Sequence, residues 1–172
     1  MTISSTTIRP GTPVHVEDPP LALVIDAEGR FVHDGTVVTH ARLVALLHRS
    51  IARNDDGTYV VTTGRDRVPL IVEDTPYFVR TLKRTTTGAV DLVLSDDTHE
   101  RVDEKTSFVV DSQDRMRVRI KGDRFWAKLL RPAHAALTDG VLELPGPSVV
   151  ARPLGGPIVN LVEAAAGIDW TR

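Results

Sequence analysis

Two periods of apolar residues alternate along this chain, and together they divide it into short strands and two longer helical stretches. Leu21 to Ile25 is apolar and strand-like. Asp26-Ala27-Glu28-Gly29 reads as a turn, Phe31 to His33 as the returning strand, and Asp34-Gly35 as a connection of the hairpin kind. Thr36-Val37-Val38 leads into a helix over about 39–53. There Leu43, Leu47 and Ile51 recur every four residues, and Val44 and Leu46 widen the stripe. Thr39 is the predicted N-cap, because its hydroxyl can accept an amide of the first turn. Arg49 and Arg53 suit the negative end of the helix dipole, and Asn54-Asp55-Asp56-Gly57 stops the helix.

Strands then follow in quick succession: 58–63, 68–72, 77–83, 89–95 and 107–110, with Gly64-Arg65-Asp66 as one turn and a polar stretch over 96–105. This is the pattern of an antiparallel meander with short connections. Residues 115–120 alternate strictly. Arg115, Arg117 and Arg119 share one face and Met116, Val118 and Ile120 the other, as in a half-buried strand. Asp123 is placed to cap a second helix whose apolar face is Phe125, Trp126, Leu129, Leu130, Ala133 and Leu137. Pro132 kinks or restarts it. Asp139-Gly140 ends it, and 141–144 is a strand. The chain then turns rich in proline and glycine, and 158–166 is suited to one last short helix near Trp170.

The order strand, helix, Asp-Gly, strand occurs twice, around Phe31 and again around Val118, which points to an internal repeat. The fold class is therefore α+β, with two small β-rich subdomains of antiparallel strands and one main helix each. The divisions are an extended N-terminal tail over 1–20, subdomains over 21–86 and 87–157, and a short C-terminal segment over 158–172. Pro10, Gly11, Pro13, Pro19 and Pro20 deny the tail regular structure.

Composition narrows the function classes. The 172 residues are 41% hydrophobic and 26% charged, enough to bury a core, but only 5% aromatic, so Val, Leu, Ile and Ala must fill it. The absence of cysteine excludes a disulfide framework, a thiolate zinc site and a cysteine nucleophile. A net charge of -2 gives no global field for nucleic acid or an anionic membrane. The Ser- and Thr-rich start has no apolar core of a secretory signal, and no window reaches 18 consecutive apolar residues, so a cytoplasmic bacterial protein is the default expectation.

Three stretches carry a likeness. Ile25 to Val44 contains the D-G turn before the first helix, Tyr59 to Pro76 contains Y-V-V-T and V-E-D-T-P, and Arg117 to Pro132 ends in R-P. In order and spacing these resemble the bacterial domain-of-unknown-function 1285 (DUF1285) family over about 21–142. Leu21-Ala22-Leu23-Val24 stands where an aromatic, cysteine-containing lead-in is expected, and the ending is Pro-rich rather than aromatic and Gly-rich, the pattern of a divergent relative. The resemblance implies two structurally related α/β subdomains, no established reaction, and a ligand-sensing or signalling role.

Candidate chemistry is sparse. Arg115, Arg117, Arg119, Lys121 and Arg124 form a basic row that could hold a phosphate, a carboxylate ligand or an acidic partner, since guanidinium forks pair two oxygens at once. The plainer reading is a solvated face paired with neighbouring acids. His33 and His40, with Asp34 or Glu28 nearby, could hold a metal or move protons, though no HxxxH or HxH pair is present and His48 lies two turns from His40. Glu73-Asp74 before Thr75-Pro76 reads as a turn cap rather than an acid/base pair, as do Asp26, Glu28 and Asp34. Gly155-Gly156 reads as a loop, with no phosphate-loop or G-x-S-x-G pattern. The leading expectation is a non-catalytic module for a small anionic ligand or a protein partner, with no cofactor. The alternatives are a hydrolase-like or metal-dependent enzyme at His33 and His40, and a homo-oligomer, such as a homodimer, that pairs strand edges.

Overall fold

A computed structural model describes residues 22–142 and 148–172. The extended tail over 1–20, Leu21 and the end of the 141–144 strand lie outside the described residues.

The first unit runs β1 (Leu23–Ile25), β2 (Phe31–His33), β3 (Thr36–Val37), α1 (Ala41–Arg49), β4 (Ile51–Arg53), β5 (Tyr59–Thr63) and β6 (Asp66–Val72). These form a six-stranded sheet in the order β3-β2-β1-β6-β5-β4, with β1 and β6 parallel at its centre. A hairpin extension follows: β7 (Tyr77–Arg84), β8 (Val90–Leu94) and β9 (His99–Val102). The second unit runs β10 (Ser107–Val110), β11 (Met116–Ile120), β12 (Phe125–Leu129), α2 (Arg131–Thr138), β13 (Val141–Leu142), β14 (Val149–Ala151) and β15 (Val159–Glu163). Its strands lie in the order β12-β11-β10-β15-β14-β13, with β10 and β15 parallel at the centre. The two units thus share one topology: a three-strand meander, a helix, and a second three-strand meander docked parallel to the first. The α+β class and the repeat-like organisation read from the sequence are both present. The sheets are mixed, because three parallel pairs stand among the antiparallel ones.

The extension joins the second unit through β7 and β12, which pair in parallel, making a nine-stranded sheet. The change of sheet therefore falls between Val72 and Tyr77, upstream of the 86/87 division drawn from the sequence. Five strand spacings separate β9 from β10, about 24 Å in a flat sheet. The residues linking Val102 to Ser107 reach about 18 Å at most. The sheet must curl, and its contacts show it: the Lys121 amide beyond β11 donates to Glu100 Oε1 on β9 at 2.7 Å. Inside this curl lie Phe108, Val118, Ile120, Leu92, Leu94 and Ala127, all buried. They belong to one core continuous with Ile25, Phe31, Val61 and Leu70 of the first sheet. Each large side chain there contributes roughly 1.5–3 kcal/mol of burial.

Several expected elements are different in the structure. The first helix ends at Arg49, and Ile51–Arg53 is strand β4, paired with β5 across the Asn54–Gly57 turn. The Ser50 hydroxyl donates to the Leu46 carbonyl and closes the helix, and Ile51 is free to pair with Val61. The cap is His40 rather than Thr39, with Nδ1 accepting from the Leu43 amide. Phe125 to Leu129 is strand β12, not helix: Phe125, Ala127 and Leu129 point inward at period two. Pro132 then sits in the first turn of α2, where its missing N–H has no partner to lose. The expected last helix over 158–166 is strand β15, held between β10 and β14. The polar stretch over 96–105 contains β9, an edge strand with one buried position, Val102.

Candidate functional site

The two sheets meet where the turns Asp26–Arg30 and Glu73–Thr75 abut strands β11 and β12. Gly29 is required here: its φ is +82°, and a Cβ would lie 2.9 Å from the Phe78 ring. Arg117 lies at the centre of this junction, 1% exposed. Its Nε and Nη2 donate to Asp74 Oδ1 at 3.0 and 2.8 Å, Nη2 also reaches Oδ2 at 3.0 Å, and Nη1 donates to Asp111 Oδ2 at 2.8 Å. Lys128 Nζ lies 3.1 Å from Asp74 Oδ2 and donates to the Ala27 carbonyl at 2.6 Å. Burial works to raise the Asp111 carboxyl. Donation from Arg117, from the Arg115 and Gln113 amides and from the Arg115 side chain outweighs it and holds the group well below the usual carboxylate range.

The basic row expected from the sequence is therefore not one surface. Arg117 is a buried structural cation, and Asp74 is its partner rather than a turn cap. Arg115 is paired to Asp111 at 2.8 Å, and Lys121 to Asp96 at 2.8 Å. The alternation of Met116, Val118 and Ile120 toward the core holds, but the opposite face is covered at Arg117 by Trp170, whose ring lies 4.3 Å from the guanidinium carbon.

Arg119 and Arg124 differ from their neighbours. Among the described residues neither pairs with an Asp or Glu side chain, and nor does Arg53 on β4. Arg119 stacks over Trp126 at 4.0 Å, and Arg53 and Arg124 each lie 5.6 Å from the centre of Phe125. Stacking fixes the guanidinium planes while leaving N–H edges free. Arg119 donates only to the backbone oxygens of Asp123 and Arg172, at 3.4 and 3.2 Å. Burial lowers its pKa, and the nearby Arg53 charge adds to that against the opposing pull of Asp123. Beside these residues is an open cavity of about 460 Å³ lined by Arg53, Arg124, Arg172 and the Asn54–Gly57 turn. Its carboxylates are Asp55 and Asp56, and Asp56 accepts from the Thr58 amide and hydroxyl.

The histidines do not assemble. His33 and His40 are exposed, and His40 Nδ1 is occupied in capping α1. No hydrogen bond or ion pair joins either to Asp34 or Glu28, and no group of three or more metal-ligating side chains occurs among the described residues. Glu28 instead contacts Arg30 at 3.3 Å. His33 borders an apolar groove between α1 and the first sheet. Gly155 ends a short 3-10 turn that leads to a strand, so no helix start is available there.

The solved structures show what this chain is similar to. It aligns with the crystal structure of a DUF1285 family protein from Silicibacter pomeroyi DSS-3 at a TM-score of 0.63 and 18% identity, over 88% of this chain and 87% of that one. The chain has the DUF1285 fold. A second DUF1285 family structure, from Shewanella baltica OS155, aligns at a TM-score of 0.49 and 24% identity, over 65% of this chain and 85% of that one. No family model and no curated protein matches the sequence. Both structural neighbours are described by family number alone, without an activity. No helix among the described residues is long and apolar enough to cross a membrane.

Two functional candidates escaped the sequence reading: Arg53, taken for a helix end, and the Asp74–Arg117 pair, 43 positions apart. The signal for Arg53 is the Asn54–Gly57 turn. Read as a hairpin connection, it makes 51–53 a strand. Nothing local marks Asp74, because its partner is chosen by the docking of two sheets.

Proposed function

We propose that this protein is a non-catalytic module that binds a small anionic ligand at the corner formed by Arg53, Arg119 and Arg124. The observation that carries the reading is convergence. Three arginines from both structural units meet over two buried aromatic rings, and none pairs with an Asp or Glu side chain within ion-pair distance among the described residues. Unpaired guanidinium groups occur elsewhere on the surface, but these three share one corner and are held in place by stacking. Charge-assisted hydrogen bonds to a phosphate or carboxylate are about twice as strong as neutral ones. Asp55 and Asp56 in the same lining favour a ligand that also presents hydroxyl or amino donors, as a phosphorylated or carboxylated metabolite does. Binding without turnover is the role expected of a sensing or signalling part.

Titration calorimetry with inorganic pyrophosphate and, separately, citrate tests this and separates phosphate from carboxylate preference. Arg53→Ala and Arg119→Ala are each expected to weaken binding about tenfold or more, with thermal midpoints close to the parent's. Failure of both anions to bind the parent protein, or binding by both variants as tight as the parent's, sinks the reading.

A further inference from the structure

The chain beyond β15 crosses the outer face of the second unit and reaches the proposed anion corner at Arg172. The Ala164 amide donates to the Val110 carbonyl at 2.8 Å, continuing the β15 pairing by one step. Trp170 then packs edge-on against Trp126 at 5.0 Å and covers Arg117. Beyond it, the Thr171 carbonyl accepts from the Tyr59 hydroxyl of the first unit at 2.5 Å. The Arg172 backbone oxygen accepts from Arg119 at 3.2 Å, and the Arg172 side chain forms part of the cavity lining.

We propose that residues 164–172 form a strap that competes with the anion for Arg119 and opens when the anion binds. This rests on the anion-binding reading of the corner. The acceptors that Arg119 now uses are backbone oxygens at 3.4 and 3.2 Å, and an anion that accepts at shorter range competes for the same donor. Among the described residues the strap's one hydrogen bond to the first unit comes from the Tyr59 hydroxyl, so 166–172 can loosen while the Ala164 pairing remains. A closed strap reduces the fraction of molecules able to bind, and weakening it raises apparent affinity by the same factor.

The experiment combines amide hydrogen exchange on the parent protein, with and without inorganic pyrophosphate, and calorimetry on Tyr59→Phe, which removes the hydroxyl that donates to Thr171. The expected result is faster exchange over 166–172 when pyrophosphate is bound, together with about fivefold tighter binding by Tyr59→Phe. If pyrophosphate binds both proteins equally and leaves 166–172 as protected as before, the strap is overturned while the anion site stands. If pyrophosphate binds neither, both inferences fall.

Discussion

The two units are built on one plan and differ in what they place on the outer face of that plan. Across the first sheet, the outward row of partnered positions is Val37, Val32, Val24 and Ile71. Across the second, the matching row is Lys128, Arg117, Val109 and Val162. The first row is apolar along its length and leaves Val37 39% and Ile71 52% exposed. In the second, two cations replace two valines, and they draw in Asp74 from the connection between the sheets and Trp170 from the strap. The turns that open the meanders are also matched. Asp26 accepts from the amides of Glu28 and Arg30, and Asp111 from those of Gln113 and Arg115. Each also pairs with the side chain of that arginine. The lesson is that the shared pattern specifies strand order and the parallel central pair. The substituted row determines how one unit grips the rest of the molecule.

The largest expected effect is at that substitution. Asp74→Ala leaves the Arg117 guanidinium buried against Asp111 alone and should destabilise the protein by about 3–5 kcal/mol. Val32→Ala, at the place matching Arg117 in the first unit, should cost about 1 kcal/mol. Urea denaturation of the two variants compares them directly. Equal losses would mean that the ion pair adds nothing that valine does not, and the contrast between the units would collapse.

Next comes the helix of the first unit. His48 on α1 is 2% exposed, stacks edge-on with Phe31 at 4.6 Å, and has no hydrogen-bond partner at Nδ1. Burial pushes its pKa down to about 4, and the Arg80 charge adds to that against the opposing pull of Asp96 and Asp97. The unfolded chain, with a histidine pKa near 6.5, binds the proton first. Stability supplied by the neutral ring is therefore complete above about pH 6.5 and is lost as pH falls toward 4, by about 3 kcal/mol in all. His48→Leu should flatten that part of the stability profile, measured by thermal or urea melts between pH 7 and 4. The buried positions of α2 are Ala133 and Leu137, so no buried titratable side chain of that helix matches His48. A parent profile that is flat over this range would remove the contrast.

How far each unit was legible follows from where its constraints lie. The β1–β2 hairpin and the strands β10 and β11 could be read, because alternation and the Asp26–Gly29 turn act within a few residues. Ile51–Arg53 and Phe125–Leu129 were misread as helix because each adjoins a true helix. Leu47 with Ile51, and Phe125 with Leu129, fit a four-residue spacing as well as a two-residue one. Only the partner strands, β5 for the one and β7 and β11 for the other, decide between them. The same limit applied at the site. Arg115, Arg117 and Arg119 look equivalent along the strand, yet Asp111, Asp74 and Trp126 give them three environments that no spacing reveals. Trp170 stands out beside the expected last helix, but its partners Trp126 and Arg117 come from strands remote in sequence.

The finest test uses the matched turn aspartates. Asp26→Asn and Asp111→Asn each keep an oxygen that can accept the turn amides, and each weakens the pairing with the arginine four residues on. The difference between them isolates what Asp111 does and Asp26 does not: accept Nη1 of the buried Arg117. A hydrogen bond to a charged group contributes about 1.5–3 kcal/mol. Asp111→Asn should therefore be less stable than Asp26→Asn by about 2 kcal/mol, read from paired urea midpoints at pH 7. Because both aspartates sit in the same turn geometry with similar burial, the shared losses cancel in the comparison. If the two variants instead melt together, Asp74 and Lys128 alone satisfy the junction. The buried Arg117 would then be held by one carboxylate rather than two.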